Sequence, residues 1–270
     1  MTNCLIVGIG GQGTILAARL IGTAAMAAGL SVRGSETIGM AQRGSGVASH
    51  VRMGGAIYSP LIPPGEADVL IAFEPGEAVS AAHYLSPGGV AVVCDRPVQP
   101  SAAARAAGSL GTAGLAAGAS GAEGAEGRSA GGAARSAAGS SAGDTTDSLA
   151  GGLAGGAAYG STGGASGPAL RAASSGNAYS AAECVGWLRR NVKPLLIADG
   201  EALIGQIGAR CLNVALIGIA VGLGAFPFSL ADMEAAIAQR VREKHVKMNI
   251  DALRIGIGLA QAAAKAQGVG

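Results

Sequence analysis

The chain has 270 residues, enough for one large domain or two small ones, with 47 glycines, 49% apolar and 13% charged residues. A net charge of +2 and the lack of any basic run give nucleic acid no electrostatic footprint. Four scattered cysteines (Cys4, Cys94, Cys184, Cys211) form no C-x-x-C pair, which argues against zinc or iron–sulfur ligation by this chain alone and reads as buried, reduced thiols of a cytoplasmic protein.

Residues 3–8 make a continuous apolar strand. Gly8-Ile9-Gly10-Gly11-Gln12-Gly13 follows and opens an Ala-rich helix over 14–28, with Gly29 as its C-cap. A short second strand over 30–33 leads into a loop over 35–46, with Gly34, Gly39, Gly44 and Gly46 leaving the backbone free to bend. Residues 46–53 alternate Val47, Ser49, Val51 and Met53 with Ala48, His50 and Arg52, a period of two that suggests a half-exposed, antiparallel strand. Pro60, Pro63, Pro64 and Gly65 mark a loop, and 68–73 is a buried strand ended by Glu74-Pro75-Gly76. A short helix over 77–84 and a turn at 86–89 lead to a strand over 90–94.

Residues 101–178 are nearly all Ala, Gly and Ser, with no Val, Ile, Phe, Met or Trp. Such a segment has too little apolar surface to offset about 1–2 kcal/mol per residue of backbone ordering, and reads as a disordered or loosely ordered insertion. The rest, 1–100 and 179–270, is a comfortable single-domain length. After the insertion come a helix over 180–190, with Ser180 and Glu183 in capping-box positions, and a last strand over 195–198. Asp199-Gly200 follows, then helices over 208–222, 230–241 (capped by Ser229) and 249–265. The apolar stretch 211–228 contains Asn213, three glycines and Pro227 and adjoins Arg210, which favours a buried helix over a membrane span. The N-terminus runs straight into a strand without a basic leader region, so no signal peptide is expected.

Continuous apolar strands alternating with helices imply an α/β fold. The expectation is a Rossmann-like three-layer sandwich with a mostly parallel sheet, a low-complexity insertion and a helical C-terminal region. Ligands and partners meet such sheets at the carboxyl ends of the strands. The polar punctuation collects there: Gly10–Gly13, 35–43, Glu74, Asp95 and Asp199.

Gly8-x-Gly10-x-x-Gly13 after a strand matches the dinucleotide pattern, in which glycines permit a tight turn and helix N–H groups face an anion. The acidic residue expected about 20 positions on would have to be Glu36, which matches poorly because it lies past the short second strand. Gln12 adds an amide that a plain dinucleotide loop does not require. In the 35–46 loop, Glu36, Gln42 and Arg43 supply an acceptor, an amide and a cation, and Arg43 with Arg52 and His50 could hold a carboxylate or phosphate. The alternative for these residues is an ordinary solvated or interface loop, and for His50 a structural role. No G-x-S-x-G, P-loop or H-E-x-x-H is present. Asp199-Gly200 could begin a thiamine-diphosphate motif, but the asparagine pair this motif needs is missing, since Asn213 is single and too close.

Gly8–Gly13 with the helix behind it, Ser35-Glu36-Thr37-Ile38-Gly39-Met40-Ala41-Gln42-Arg43-Gly44, Ser49-His50-Val51-Arg52 and Phe73-Glu74-Pro75 together resemble the gamma-domain family of 2-oxoacid:ferredoxin oxidoreductases, most closely its indolepyruvate branch. The resemblance is strong over 1–100 and resumes more weakly from Tyr179, including Asn213 and Asn249; the insertion departs from the pattern. It implies a subunit of an enzyme that oxidatively decarboxylates an aryl-2-oxoacid to an acyl-CoA and passes electrons to ferredoxin. Thiamine diphosphate and 4Fe-4S clusters would sit on a partner alpha subunit, with coenzyme A as co-substrate and no cofactor on this chain alone. Gly10, Gly11, Gln12, Gly13, Glu36, Gln42, Arg43, His50 and Arg52 are the contact candidates. A stand-alone NAD(P) oxidoreductase and a purely architectural subunit remain the alternatives.

Overall fold

A computed structural model describes residues 1–38, 46–98 and 180–266. Gln42, Arg43 and the 101–178 insertion lie outside the described residues. Six strands form one sheet: β1 (Thr2–Ile9), β2 (Ser31–Ile38), β3 (Gly46–Gly54), β4 (Ala67–Ala72), β5 (Leu85–Cys94) and β6 (Leu195–Ala198), in the order β2-β3-β1-β4-β5-β6. β1, β4, β5 and β6 are parallel, whereas β3 runs antiparallel to both of its neighbours. The helices are α1 (Thr14–Ala27), α2 (Pro75–Ala81), α3 (Ala181–Asn191), α4 (Gly200–Ile207), α5 (Leu212–Gly222), α6 (Leu230–Arg240) and α7 (Glu243–Ala266).

The parallel strands read as unbroken apolar runs because both faces are covered. Cys4 and Ile6 of β1, Val69 and Ile71 of β4, and Val92 and Cys94 of β5 pack with α1, α5, α6 and α7. The intervening Leu5 and Val7, Leu70 and Ala72, and Ala91 and Val93 pack with α2 and α3. This is the expected three-layer α/β arrangement.

Four expectations change. β5 already begins at Leu85, so the supposed turn at 86–89 lies within the strand. β2 continues through Glu36 to Ile38, so the first part of the supposed loop is strand. Its Ser, Arg, Glu and Thr side chains hid it, because an edge strand with exposed residues needs no apolar run. β3 is antiparallel, as its period suggested, yet residues 49–53 are all buried rather than half-exposed. It lies second in the sheet with α1 on one face; on the other, segment 55–66 delivers Ile62 and backbone polar groups to it. Lastly, α4 is an additional helix, and α7 starts at Glu243 rather than near 249. Residues 243–248 are mostly polar, so no apolar stripe announced that first turn.

α5 is buried along nearly its whole length and crosses α7 at backbone contact. Gly218 faces the Leu253 carbonyl, and Gly256 faces the Ala215 carbonyl. No single described helix is long and apolar enough to cross a membrane; α4 and the following helical stretch would pass only together, and they are bent by 110°.

Candidate functional site

The glycine loop sits where β1 ends. The Gln12 N–H donates to the Ile9 carbonyl (3.1 Å), closing a tight turn, and Gly13 begins α1 with its carbonyl accepting from the Ala17 N–H (3.0 Å). Gly11 and Gly13 have φ of 105° and 85°, a region that favours glycine. The surroundings of these two glycines differ. A Cβ on Gly11 would meet nothing within 4 Å, whereas one on Gly13 would lie 2.6 Å from Nδ2 of Asn213.

Gln12 turns inward. Its Oε1 accepts from the Ile9 N–H (2.6 Å) and its Nε2 donates to the Phe73 carbonyl (3.2 Å) just past β4. Gly8 makes room for it, since a Cβ there would be 2.7 Å from Oε1. β1 and β4 are the strands between which the chain reverses its direction of travel across the sheet, the crevice where open α/β sheets admit ligands. Here the protein's own amide spans the mouth of that crevice. Asn213, buried at the start of α5, reaches the loop from below: its Nδ2 donates to the Gly13 carbonyl (3.4 Å), and its Oδ1 accepts from the Val214 N–H (2.9 Å).

Two carboxylates flank the loop on the same edge. Glu74 caps α2, its Oε2 accepting from the Glu77 N–H (2.9 Å), and Pro75 follows at the helix start, where a missing N–H costs nothing. The Glu77 carboxylate lies beside Gly46, whose Cβ would be 2.9 Å from Oε2, and Gly46 pairs with Ile9. Burial, with the neighbouring Glu74 second, pushes Glu77 up to about 7. Asp95 and Asp199 share this edge but serve α4: Asp95 accepts from the Gly200 N–H and Asp199 from the Ala202 N–H, both at 2.9 Å.

The structure does not bring His50 and Arg52 to this edge. Nδ1 of His50 accepts from the Ile62 N–H (3.2 Å), and burial lowers its pKa, so it is a neutral, structural ring. The Arg52 guanidinium donates to Asn3 Oδ1 (2.9 Å) and to the Leu61 carbonyl (3.0 Å), and sits 3.6 Å from Glu66. Arg52 pairs with Asn3, six residues back along β1 from Ile9, or roughly 20 Å from the loop. An anion cradle built jointly from Arg43, His50 and Arg52 is therefore corrected: both described members are spent elsewhere. Glu36 lies exposed on the edge strand, in register with Ser49. It lines an open cavity of about 320 Å³ with Arg19, Gly34 and Ser35. β3 separates β2 from β1 and Glu36 is level with Ile6, so it stands two strands across and three residues back from the end of β1, roughly 15 Å from the glycine loop and too far for the ribose-binding acid of a dinucleotide site.

Sequence reasoning did not single out Glu77, and it named Asn213 as part of the family resemblance but not as a site residue. The signals were present: an acid three residues beyond the Glu74-Pro75 cap, and a lone amide at the head of an apolar helix. Among the described residues no group of His, Cys, Asp and Glu could hold a metal ion. All four cysteines are buried and unpaired, and burial raises each thiol, Cys94 and Cys184 to about 11. Burial thus disfavours the nucleophilic thiolate at each of them.

The family model for pyruvate ferredoxin/flavodoxin oxidoreductase matches residues 3–130. The chain is 30% identical over 260 residues to indolepyruvate oxidoreductase subunit IorB of Archaeoglobus fulgidus, which covers 96% of this chain and 94% of that protein. The chain belongs to the pyruvate ferredoxin/flavodoxin oxidoreductase family. IorB of Pyrococcus horikoshii is 45% identical over 98 residues, 36% of this chain and 48% of that protein, so the chain matches about half the length of that relative. Among solved structures, the keto/oxoacid ferredoxin oxidoreductase gamma subunit from Geobacter sulfurreducens has the same fold, with a TM-score of 0.51 at 17% identity over 97% of this chain and 99% of that one. The glycine loop and the Glu74–Glu77 pair lie inside the span that the family model matches.

Proposed function

We propose that this chain is a subunit of a 2-oxoacid:ferredoxin oxidoreductase, with indolepyruvate or another aryl pyruvate as substrate. A 2-oxoacid and coenzyme A would give acyl-CoA and carbon dioxide, and the two electrons released would pass to ferredoxin. Near-full-length similarity to a subunit named for indolepyruvate oxidation carries this reading. Thiamine diphosphate and 4Fe-4S clusters belong in it to a partner alpha subunit. The described residues of this chain do not fit those groups: Asp199 is spent capping α4, and no metal-ligand cluster exists among them. The buried, unpaired thiols suit a reducing, cytoplasmic compartment.

Within this reading, residues 1–100 and 179–270 form one gamma-type domain and 101–178 are an insertion. Its carboxyl edge forms one wall of a site closed by the partner. Gly10, Gly11 and Gly13 present backbone there, and Glu77 adds a proton-holding group. Gln42 and Arg43 join Ile38 to Gly46, both on this edge, and remain contact candidates with Glu36. A stand-alone NAD(P) enzyme is disfavoured by Gln12 across the crevice and by the distance of Glu36. Co-purification with a tagged alpha subunit, followed by an ultraviolet–visible spectrum, tests the assignment. A stable complex carrying iron–sulfur absorption from the partner is expected. A chain that binds NADH by itself and fails to capture the partner would reverse the assignment.

A further inference from the structure

We propose that β2 is the contact strand of a two-fold dimer, pairing antiparallel with β2 of a second copy of this chain so that Glu36 of each copy meets Arg19 of the other. The two ends of the sheet differ. β6 at one end is four residues long, whereas β2 at the other is eight, pairs with β3 without a register shift and contains no proline or lysine. Ser31, Arg33, Gly34, Glu36 and Thr37 are exposed. A long, unbroken edge strand without such blunting devices is a template for a further strand.

Charge selects the second copy as the source of that strand. Residues 32, 34 and 36 of β2 are in register with 53, 51 and 49 of β3, of which Met53 and Val51 pack with α1, so Val32, Gly34 and Glu36 stand on the α1 face. With Arg19 of α1 they line the open cavity of about 320 Å³. Arg19 and Glu36 are both exposed, and neither forms an ion pair with a described residue. Gly34 leaves a gap in the same cavity, since a Cβ there would meet only the His50 carbonyl, at 3.4 Å. Residues opposite each other in an antiparallel pair point to the same face of the sheet. A two-fold axis at Ser35 therefore sets Glu36 of one copy against Gly34 of the other, and its carboxylate enters the cavity that holds Arg19. The axis repeats the contact, so one cation and one acid on each chain give two ion pairs, the self-complementarity of an isologous interface. Arg33 falls opposite Thr37 on the other face, which keeps the two Arg33 cations apart. A strand from an unrelated chain would need an acid of its own at the matching position; the second copy already carries it.

Ser35→Cys tests the axis. The four native thiols are all buried, so a cysteine at the sheet edge is the one free to pair. Opposite residues of an antiparallel pair lie within disulfide reach, at Cα separations of about 4.5–5.5 Å. The oxidised full-length Ser35→Cys chain should run as a covalent dimer on a non-reducing gel. Arg33→Cys, whose two copies are displaced along the strands, should not. Charge reversal tests the ion pairs, read by analytical ultracentrifugation of the full chain at micromolar concentration. Arg19→Glu and Glu36→Arg should each raise the dimer Kd by about 10-fold or more, and the two together in one chain should return it to within about threefold of wild type.

A wild-type chain that stays monomeric would overturn the proposal, as would a dimer that neither reversal weakens, because its contact would lie elsewhere. Single reversals that weaken the dimer with no recovery in the double variant would overturn the Arg19–Glu36 pairing, and Ser35→Cys that crosslinks no better than Arg33→Cys would overturn the axis. A chain that is monomeric by itself, and whose Arg19→Glu variant loses capture of the alpha subunit, would assign this edge to that subunit and overturn the second copy as its occupant. Self-association is read on this chain alone, so its outcome is independent of the reaction proposed above.

Discussion

A methyl group on Gly13 would meet the Asn213 amide and would also force an L-residue into left-handed backbone. Gly11 is equally left-handed but faces open space. Gly13→Ala should therefore cost about 3 kcal/mol or more, and Gly11→Ala only about 1–2 kcal/mol. Urea unfolding of the two variants side by side gives the difference, and equal losses would contradict the close approach of Asn213. Glu77 makes a prediction in pH. Its ordinary pKa is 4.5 and the fold raises it to about 7, so between these values the native state holds a proton that the unfolded chain has released. Stability from this group is intact below about 4.5, falls as pH rises to about 7 and stays reduced above it. Glu77→Gln removes that loss. It should raise the unfolding free energy by about 1–3 kcal/mol at pH 8 and change it little at pH 4.5, as read by thermal unfolding at both values.

Among elements, the α5–α7 crossing is where a single methyl should do most damage. Gly256→Ala would push against the Ala215 carbonyl of a helix packed among other buried elements and should cost about 3 kcal/mol or more. Gly258→Ala, two residues on and exposed with nothing within 4 Å, should instead gain about 0.5–1 kcal/mol from helix propensity. Chemical denaturation separates these opposite signs. The same contrast explains what could be read in advance. β1, β4 and β5 are buried on both faces, so their unbroken apolar runs announced them. β2 is a solvent-facing edge strand whose pairing with β3 is carried by backbone groups, which leave no trace in side-chain pattern. α4 is a short helix whose start is fixed by Asp95 and Asp199, one of them 105 positions before the amide it binds, a distance no local pattern spans.

At the scale of the whole molecule, the clustering of polar residues at the strands' carboxyl ends was legible, because chain direction in a parallel sheet fixes which ends meet. Their division of labour was not. Arg52 and His50 share a motif with the edge residues in sequence, yet the antiparallel course of β3 carries them away from it and into the sheet interior. Gln12 looked like a ligand contact until its two bonds to Ile9 and Phe73 showed it to be a brace. The described sheet and both its cores are built without residues 101–178. Replacing 102–177 with a short Gly/Ser linker should accordingly leave the far-ultraviolet circular dichroism and partner capture unchanged, and loss of capture would assign the insertion a part in assembly. The central claim, that this chain completes a 2-oxoacid:ferredoxin oxidoreductase, is tested most directly by assaying ferredoxin reduction with indolepyruvate and coenzyme A using this chain alone, the alpha subunit alone and the two together. Reduction that requires both proteins and coenzyme A is the predicted result; full activity of the alpha subunit without this chain, or none from the pair with any aryl pyruvate, would contradict it.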